Sequence, residues 1–588
     1  MIGINYSKRP ASLRGEGKDA EKYLIKEKWH RVQDIFSEEG SMFDDKLVAG
    51  VYDGYPISTW SDERAIYTIE GIIFNKSESE IHDNLCKIGE GFSLEAISKF
   101  IQESDGDFIV FIYKKDTKEA LIFNDELGGL PFNYYYTDRE FIAGRNNTYI
   151  AALSKDYSLS KLNIAELVFF NYNMGGRTIF EHIDSFTPAM YVICGEEDGK
   201  IKVTKGASVE RSYELINPYK TKEEALESLK QLFLEGCKVR CNYAKQHGYT
   251  IVNTMSGGFD SRTVLGGIEA CIPNGDYQNL TYEFYKDESK EALKVINAVG
   301  SKSKYIKLSF TNTPNLYDSE LSFKTEGKVA TYTNSLCYND ILFSYEKYYK
   351  GKHVLYFGGF GGEFIRHPLF HTIWNASNIG NKTNPYNPSL KKVSQLCGVS
   401  YKEARHLVKS TFDTCRTSES FCKMFYDEYY RNYVRGAGEE HDRLFYYTVQ
   451  PLMAKSFILA IRNRVPLKWV GYEFYTEFLK MINPSLVTVE IHGGDPDIFS
   501  VRSLRKSDYK NKSVLHNILR RIVVLLNLKK KKQKGLDYER IAKECDIEQL
   551  FIKDFFEKHY SQYTLHVQSK IAAVLFYANG LKKLSNTD

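Results

Sequence analysis

The sequence predicts an α/β protein in two parts, a strand-rich α+β segment followed by a doubly wound parallel sheet. Three observations predict it. Up to about residue 200, β-branched and aromatic runs recur between turn residues. Further on, strands alternate with helices, the pattern of a parallel sheet with crossover helices. Two of those later strands run into glycine-rich loops, at 256–261 and 358–363. Ligands on such sheets bind at the carboxyl ends of strands, so both loops can meet in one crevice.

The elements follow in order. Residues 47–52, 65–74, 107–113 and 120–124 read as strands. Asp138-Arg139-Glu140 closes a hairpin between 134–136 and 141–143. Thr221-Lys222-Glu223-Glu224 fits a capping box, with the Thr hydroxyl and the Glu carboxylate both satisfying helix-end N–H groups. Leu226, Leu229, Phe233, Cys237 and Cys241 then recur near helical spacing. Residues 250–254 form a short strand, and 279–285, 305–310 and 353–357 form three more. A helix over 287–299 turns Ala292, Val295, Ile296 and Val299 inward. Residues 371–445 are mixed helical, and the last 50 residues read as two helices.

The turn Ser256-Gly257-Gly258-Phe259-Asp260-Ser261 carries the chemistry. Paired glycines let backbone N–H groups approach a ligand unobstructed. The following helix adds its positive end, and two serine hydroxyls add donors. The combination suits an anion, most simply a phosphate.

Bulk properties exclude other classes. The chain has 588 residues, enough for two or more domains. A net charge of +4 gives no global attraction to nucleic acid. The 10 cysteines are scattered without a metal-spaced pair, and Cys237 with Cys241 reads as one buried helix face. His367, His371 and His441 are too dispersed for a metal site. No signal peptide and no run of 18 apolar residues is seen, so a reducing cytoplasm is the expected location. The apolar stretch from Asn517 runs into the basic run Lys529 to Lys534, which reads as a solvated helix end or loop, with contact to a membrane surface or a peptide partner as the alternative. No Gly-x-x-x-x-Gly-Lys-Ser/Thr string occurs, which argues against a Walker-type NTPase.

Ser256-Gly257-Gly258-Phe259-Asp260-Ser261 resembles the pyrophosphate loop of the ATP-pyrophosphatase superfamily, which includes asparagine synthetase, β-lactam synthetase and lasso-peptide cyclases. Other stretches resemble the glutamine-hydrolysing asparagine synthetases. They are Met1-Ile2-Gly3-Ile4, Glu70-Gly71-Ile72-Ile73-Phe74-Asn75, Asp105-Gly106-Asp107-Phe108, Asp125 through Gly128-Gly129-Leu130-Pro131, and Arg177-Thr178-Ile179-Phe180 with Pro188. The resemblance implies an Ntn-hydrolase-like α+β sandwich over 1–205, a pyrophosphate-loop synthetase domain over 220–515 and a helical extension over 516–588. It also implies that glutaminase activity is absent. Ile2 stands where the family has its nucleophilic cysteine, Glu70 where it has an oxyanion-holding Asn, and Ile72 where it has the Glu that grips glutamine.

The second loop, Gly358-Gly359-Phe360-Gly361-Gly362-Glu363, resembles the family's Ser-Gly-Glu-Gly-Ala-Asp-Glu. Gly359, Gly361 and Glu363 take the first Gly, the second Gly and the Asp, while Phe360 and Phe364 replace acidic residues. Gln450 to Pro466 resembles the family's Pro-Phe-Leu-Asp helix, with Ala454 for its Asp and Tyr447 for an upstream Glu. The resemblance assigns Mg²⁺ to Asp260 and Glu363. It assigns ATP to Thr254, Met255, Ser256, Gly257, Gly258, Asp260, Ser261, Phe284, Gly358 and Gly359, and an adenylate-stabilising lysine to Lys506, with Lys510 as an alternative.

The implied reaction activates a carboxylate as an acyl-adenylate and forms an amide, AMP and pyrophosphate. The expected partner is a carboxylate-bearing small molecule, peptide or glycan, with the amine supplied by ammonia or the substrate. Macrolactam or lasso-peptide closure and glycan amidation are the branches this favours. Asparagine synthesis from free ammonia and a non-catalytic nucleotide-binding homologue are the alternatives. A homodimer is admissible; nucleic acid and an integral membrane segment are not expected.

Overall fold

The computed structural model describes residues 2–7, 31–38, 44–51, 55–283, 287–309, 322–323, 325–328, 345–349, 351–366, 389–440, 443, 446–489, 538–563 and 565–586. Among the described residues, the first part contributes twelve strands: β1 (Ile2–Ser7), β2 (Arg31–Glu38), β3 (Asp44–Val51), β4 (Ile57–Ser61), β5 (Ala65–Ile73), β6 (Gly106–Lys114), β7 (Ala120–Asn124), β8 (Asn133–Tyr136), β9 (Glu140–Gly144), β10 (Ile183–Ser185), β11 (Met190–Glu197) and β12 (Lys200–Ala207). They form two six-stranded antiparallel sheets, ordered β10-β8-β9-β1-β3-β2 and β12-β11-β7-β6-β5-β4.

The sheets stack because their strands alternate. Ile109 and Phe111 of β6 face Ile2, Ile4, Phe141 and Ala143 of the other sheet. Phe108 and Val110, one residue out of phase, face Leu85, Ile88, Ile97 and Phe100. Those four belong to the helices Glu78–Gly91 and Leu94–Glu103. With both faces covered, β6 is a near-continuous apolar run, which is why it stands out in the sequence. On the far side, Ile142 of β9 packs into the cluster that holds Tyr149, Ile150, Ile164 and Val168 of two further helices. The result is two sheets between helical layers.

The second part holds β13 (Thr250–Thr254), β14 (Gln278–Glu283), β15 (Lys304–Ser309), β16 (Val354–Phe357) and β17 (Tyr447–Val449). They make one five-stranded sheet in the order β15-β14-β13-β16-β17, with every pairing parallel. The chain builds outward from β13 through β14 to β15, then returns to lay β16 on the other side of β13. The order therefore reverses between β13 and β16, the topological switch point where open α/β sheets bind ligands.

Two local expectations are corrected. Thr221 accepts a hydrogen bond from the Glu224 N–H (3.1 Å), but the Glu224 carboxylate takes the N–H of Lys220 (2.8 Å), so only half of the capping box forms before the helix Lys222–Gln246. Among the described residues from Tyr538 on there are three α-helices rather than two, Tyr538–Glu544, Lys553–His559 and Leu565–Ser585. The last of these returns to the first part. Lys570 donates to the Val168 carbonyl (2.8 Å), and the hydroxyls of Tyr577 and Thr148 lie 2.9 Å apart.

The two parts meet through buried ion pairs. Asp105 accepts from both terminal nitrogens of Arg240 (2.8 and 3.1 Å) and from the Lys455 N–H (3.0 Å). Asp107 pairs with Arg435, and Tyr447 donates to the Asp107 carbonyl (2.9 Å). Asp125 instead shapes its own turn, accepting from the N–H groups of Leu127, Gly129 and Phe108.

Candidate functional site

The two glycine loops leave β13 and β16 side by side and interlock. A side-chain carbon on Gly359 would lie 2.9 Å from the Ser261 nitrogen, and one on Gly362 would overlap the Asp260 carboxylate. Gly361 adopts φ +113°, a left-handed conformation, with Leu452 packed against it. Glycines at these positions are what let the loops touch.

The first loop is shaped from below by Arg262, whose side chain is fully buried. Its guanidinium donates to the carbonyls of Gly257 (2.8 Å), Gly258 (3.2 Å) and Leu486 (3.0 Å). Fixing those carbonyls inward orients the peptide planes of the turn. Ser261 Oγ accepts from the Ser256 N–H (3.2 Å) and lies 3.0 Å from Ser256 Oγ, which accepts from the Gly258 N–H (3.1 Å). The Gly257 N–H donates to the Glu288 carboxylate (3.0 Å), so this turn already binds an anionic group.

Asp260 and Glu363 face one point. Arg366 lies there, with one terminal nitrogen 3.0 Å from Asp260 Oδ2 and 3.2 Å from Glu363 Oε1. Each carboxylate's other oxygen is held by a phenol. Tyr475 donates to Asp260 Oδ1 (3.0 Å), and Tyr430 donates to Glu363 Oε2. Burial pushes the Asp260 carboxyl up, with Arg366 opposing and Glu363 reinforcing that shift. Two carboxylates aimed at a common cation position, each oriented by a second group, fit a Mg²⁺ that takes its remaining ligands from phosphate and water. Among the described residues, no group of three or more His, Cys, Asp or Glu converges on such a point.

The remaining assigned residues fall into place unevenly. Thr254 ends β13 and donates to the Phe357 carbonyl (3.0 Å). Met255 is buried, with its N–H and C=O both bonded to β14, which turns its side chain into core. Gly358 donates to the Val449 carbonyl (2.9 Å) and packs on Gln450. Gln450 in turn accepts from the Phe360 N–H (3.0 Å) and holds the second loop. Phe284, Lys506, Lys510, His367, His371, His441 and the basic run at Lys529 lie outside the described residues. Arg262, Glu288, Arg366, Tyr430, Gln450 and Tyr475 were missed. Arg262 and Arg366 carry a sequence signal, each a cation one helical step from a carboxylate or glycine of a motif, and Gln450 opens a stretch quoted for the resemblance without a role of its own.

Ile2 and Glu70, two of the positions that the resemblance aligns with glutamine hydrolysis, are buried. Ile2 is fully buried, and its N–H donates to Glu70 (2.8 Å). Arg145 pairs with Glu70 (2.5 Å) and with Glu440, and Arg443 pairs with Glu440 (2.8 Å). Tyr55 also donates to Glu70. Burial alone would raise the Glu70 and Glu440 carboxyls, but the facing positive charges win and hold both low, Glu440 at about 2.

Residues 61–205 match the model of a glutamine amidotransferase domain, so the chain carries an amidotransferase-type domain there. No curated protein matches. Among solved structures, the glutamine phosphoribosylpyrophosphate amidotransferase of B. subtilis, complexed with ADP and GMP, is 10% identical, covering 71% of this chain and 94% of that one with a TM-score of 0.24. An allosteric regulatory enzyme of purine biosynthesis is 9% identical, covering 63% and 77%, with a TM-score of 0.22. At these scores neither structure bears on the fold. Among the described residues, no helix is long and apolar enough to cross a membrane.

Proposed function

We propose that this chain is an ATP-dependent, AMP-forming amide ligase whose amidotransferase-type domain no longer hydrolyses glutamine. The observation that carries the reading is the meeting of the two glycine loops at the strand-order reversal, with Asp260 and Glu363 turned to one cation position. In this reading Ser256, Ser261 and the Gly257 and Gly258 N–H groups hold the β- and γ-phosphates of ATP. Asp260 and Glu363 would hold a Mg²⁺, which would supply positive charge against the pyrophosphate. A substrate carboxylate oxygen bonds to the α-phosphorus as the bond to pyrophosphate breaks. An amine then forms the amide bond to the activated carbonyl, loses a proton, and AMP leaves. The residues act by positioning and by fixed charge rather than as covalent partners.

The nitrogen source follows from the first domain. Ile2 offers no nucleophile, and Glu70 is committed to Arg145 and Tyr55. The amine is then free ammonia or belongs to the substrate, which is a small molecule, peptide or glycan. The test is AMP and pyrophosphate release from ATP with a panel of carboxylates and ammonium. Release by wild type, lost in Asp260→Ala, supports the reading, as does the absence of glutamate release from glutamine. Glutamate release at rates matching amide formation overturns the second half.

A further inference from the structure

The positions assigned above to metal and phosphate are held by this chain's own side chains. Arg366 places one nitrogen between the carboxylates of Asp260 and Glu363 (3.0 and 3.2 Å). Glu288 places a carboxylate on the Gly257 N–H (3.0 Å), where the turn offers its anion-binding edge. The cation sits on the carboxylate pair and the anion on the cradle, so charge by charge the pair mimics a metal–pyrophosphate complex. Each group sits at a helix end and is partly exposed. Arg366 ends the short helix Glu363–Arg366, and its side chain keeps 14% exposure. Glu288 is the residue before the helix Ser289–Ala298 and is half-buried. One terminal nitrogen of Arg366 reaches both carboxylates, and its buried Nε has no hydrogen-bond partner among the described residues. A guanidinium carries five donors in a planar fork suited to phosphate oxygens.

We infer that Arg366 and Glu288 are internal occupants of the site, displaced together by metal and nucleotide, after which Arg366 turns its fork to the phosphates. This rests on the reading under Proposed function. Arg366 then acts twice. It competes with a divalent cation when no nucleotide is present, and it adds to phosphate affinity when both are bound. Glu288 repels phosphate until it is displaced. The site accordingly binds metal poorly by itself and favours metal and phosphate arriving together.

The test uses the full chain, with Mn²⁺ alone followed by electron paramagnetic resonance, then Mn²⁺ with a non-hydrolysable ATP analogue or with pyrophosphate. Arg366→Gln binds Mn²⁺ alone more tightly by about tenfold, the scale of one charge-assisted hydrogen bond, and binds pyrophosphate about tenfold more weakly. Arg366→Lys restores both toward wild type. Glu288→Gln, which removes charge at a half-buried position, tightens pyrophosphate binding several-fold and leaves Mn²⁺ alone unchanged. Unaltered or weaker Mn²⁺ binding in Arg366→Gln, with its melting temperature preserved, overturns the inference while leaving the proposed function standing. So does unaltered pyrophosphate binding in Glu288→Gln. Failure of the wild type to bind Mn²⁺ with the analogue, together with failure of every variant, overturns the proposed function and this inference with it.

Discussion

Tyr475 illustrates how single residues set the candidate site. Its hydroxyl is 3.0 Å from Asp260 Oδ1 and 2.8 Å from Thr263 Oγ1, so it fixes the carboxylate. Outer partners of metal ligands typically matter by about 10- to 100-fold in affinity. Tyr475→Phe should weaken Mn²⁺–nucleotide binding by roughly tenfold with little change in melting temperature. Arg262 has a different task. Removing its side chain strands the inward carbonyls of Gly257 and Gly258. Arg262→Met should therefore abolish nucleotide binding and lower stability by about 3 kcal/mol, read by urea denaturation. The six-residue turn was legible in the sequence because its glycines and hydroxyls are contiguous. Tyr475 and Tyr430 were not, because they meet their carboxylates across 215 and 67 residues of chain. No local pattern distinguishes them from the many other tyrosines.

At the level of elements, β6 and the β13 turn announced themselves, whereas β1, β10 and the edge strand β4 did not. An edge strand such as β4 buries little, with most of its residues exposed or half-buried, so it lacks the apolar run that marks β6. The half-formed cap at Thr221 shows the same limit at a helix start, since Glu224 finds a better donor one residue earlier, at Lys220. The closing helix Leu565–Ser585 carries a sharper prediction. Lys570 is fully buried against the Val168 carbonyl, and burial pushes its ammonium down to about 7. An unfolded lysine holds its proton to higher pH, so between these values the unfolded state binds more protons. Stability must then rise with pH from about 7 toward 10, at up to about 1.4 kcal/mol per unit. Urea midpoints of the wild type should climb between pH 7 and 9, while Lys570→Met should be flat over that interval. A flat wild-type profile would show that the lysine is solvated when folded.

The whole molecule is joined by buried charge around Glu70 and Arg145. Glu70, Arg145, Glu440 and Arg443 run from the first part to the second. Breaking such a buried set by removing one member costs about 3–5 kcal/mol, because a charge is left unpaired. Glu440 has a folded value near 2, below its ordinary one. Its stabilising contribution is complete above the ordinary carboxylate range and is lost as pH falls through the folded value. Acidification from about pH 5 to 2 should therefore loosen the junction by about 3 kcal/mol, and Glu440→Gln should remove that dependence while lowering neutral stability. Circular dichroism melts across the interval check it. The sequence places Ile2, Glu70 and Ile72 at the positions that the resemblance assigns to glutamine hydrolysis, but it does not reveal the ion pairs that Glu70 and Arg145 make. They form only once distant parts of the chain dock.

The central claim is that the paired glycine loops bind Mg²⁺ and ATP. Isothermal titration of the full chain with a non-hydrolysable ATP analogue tests it most directly, with and without Mg²⁺, in wild type and in Asp260→Ala. The expected result is one Mg²⁺-dependent site per chain, weakened at least about tenfold in the variant. Absence of binding, or binding that ignores both Mg²⁺ and Asp260, would contradict it.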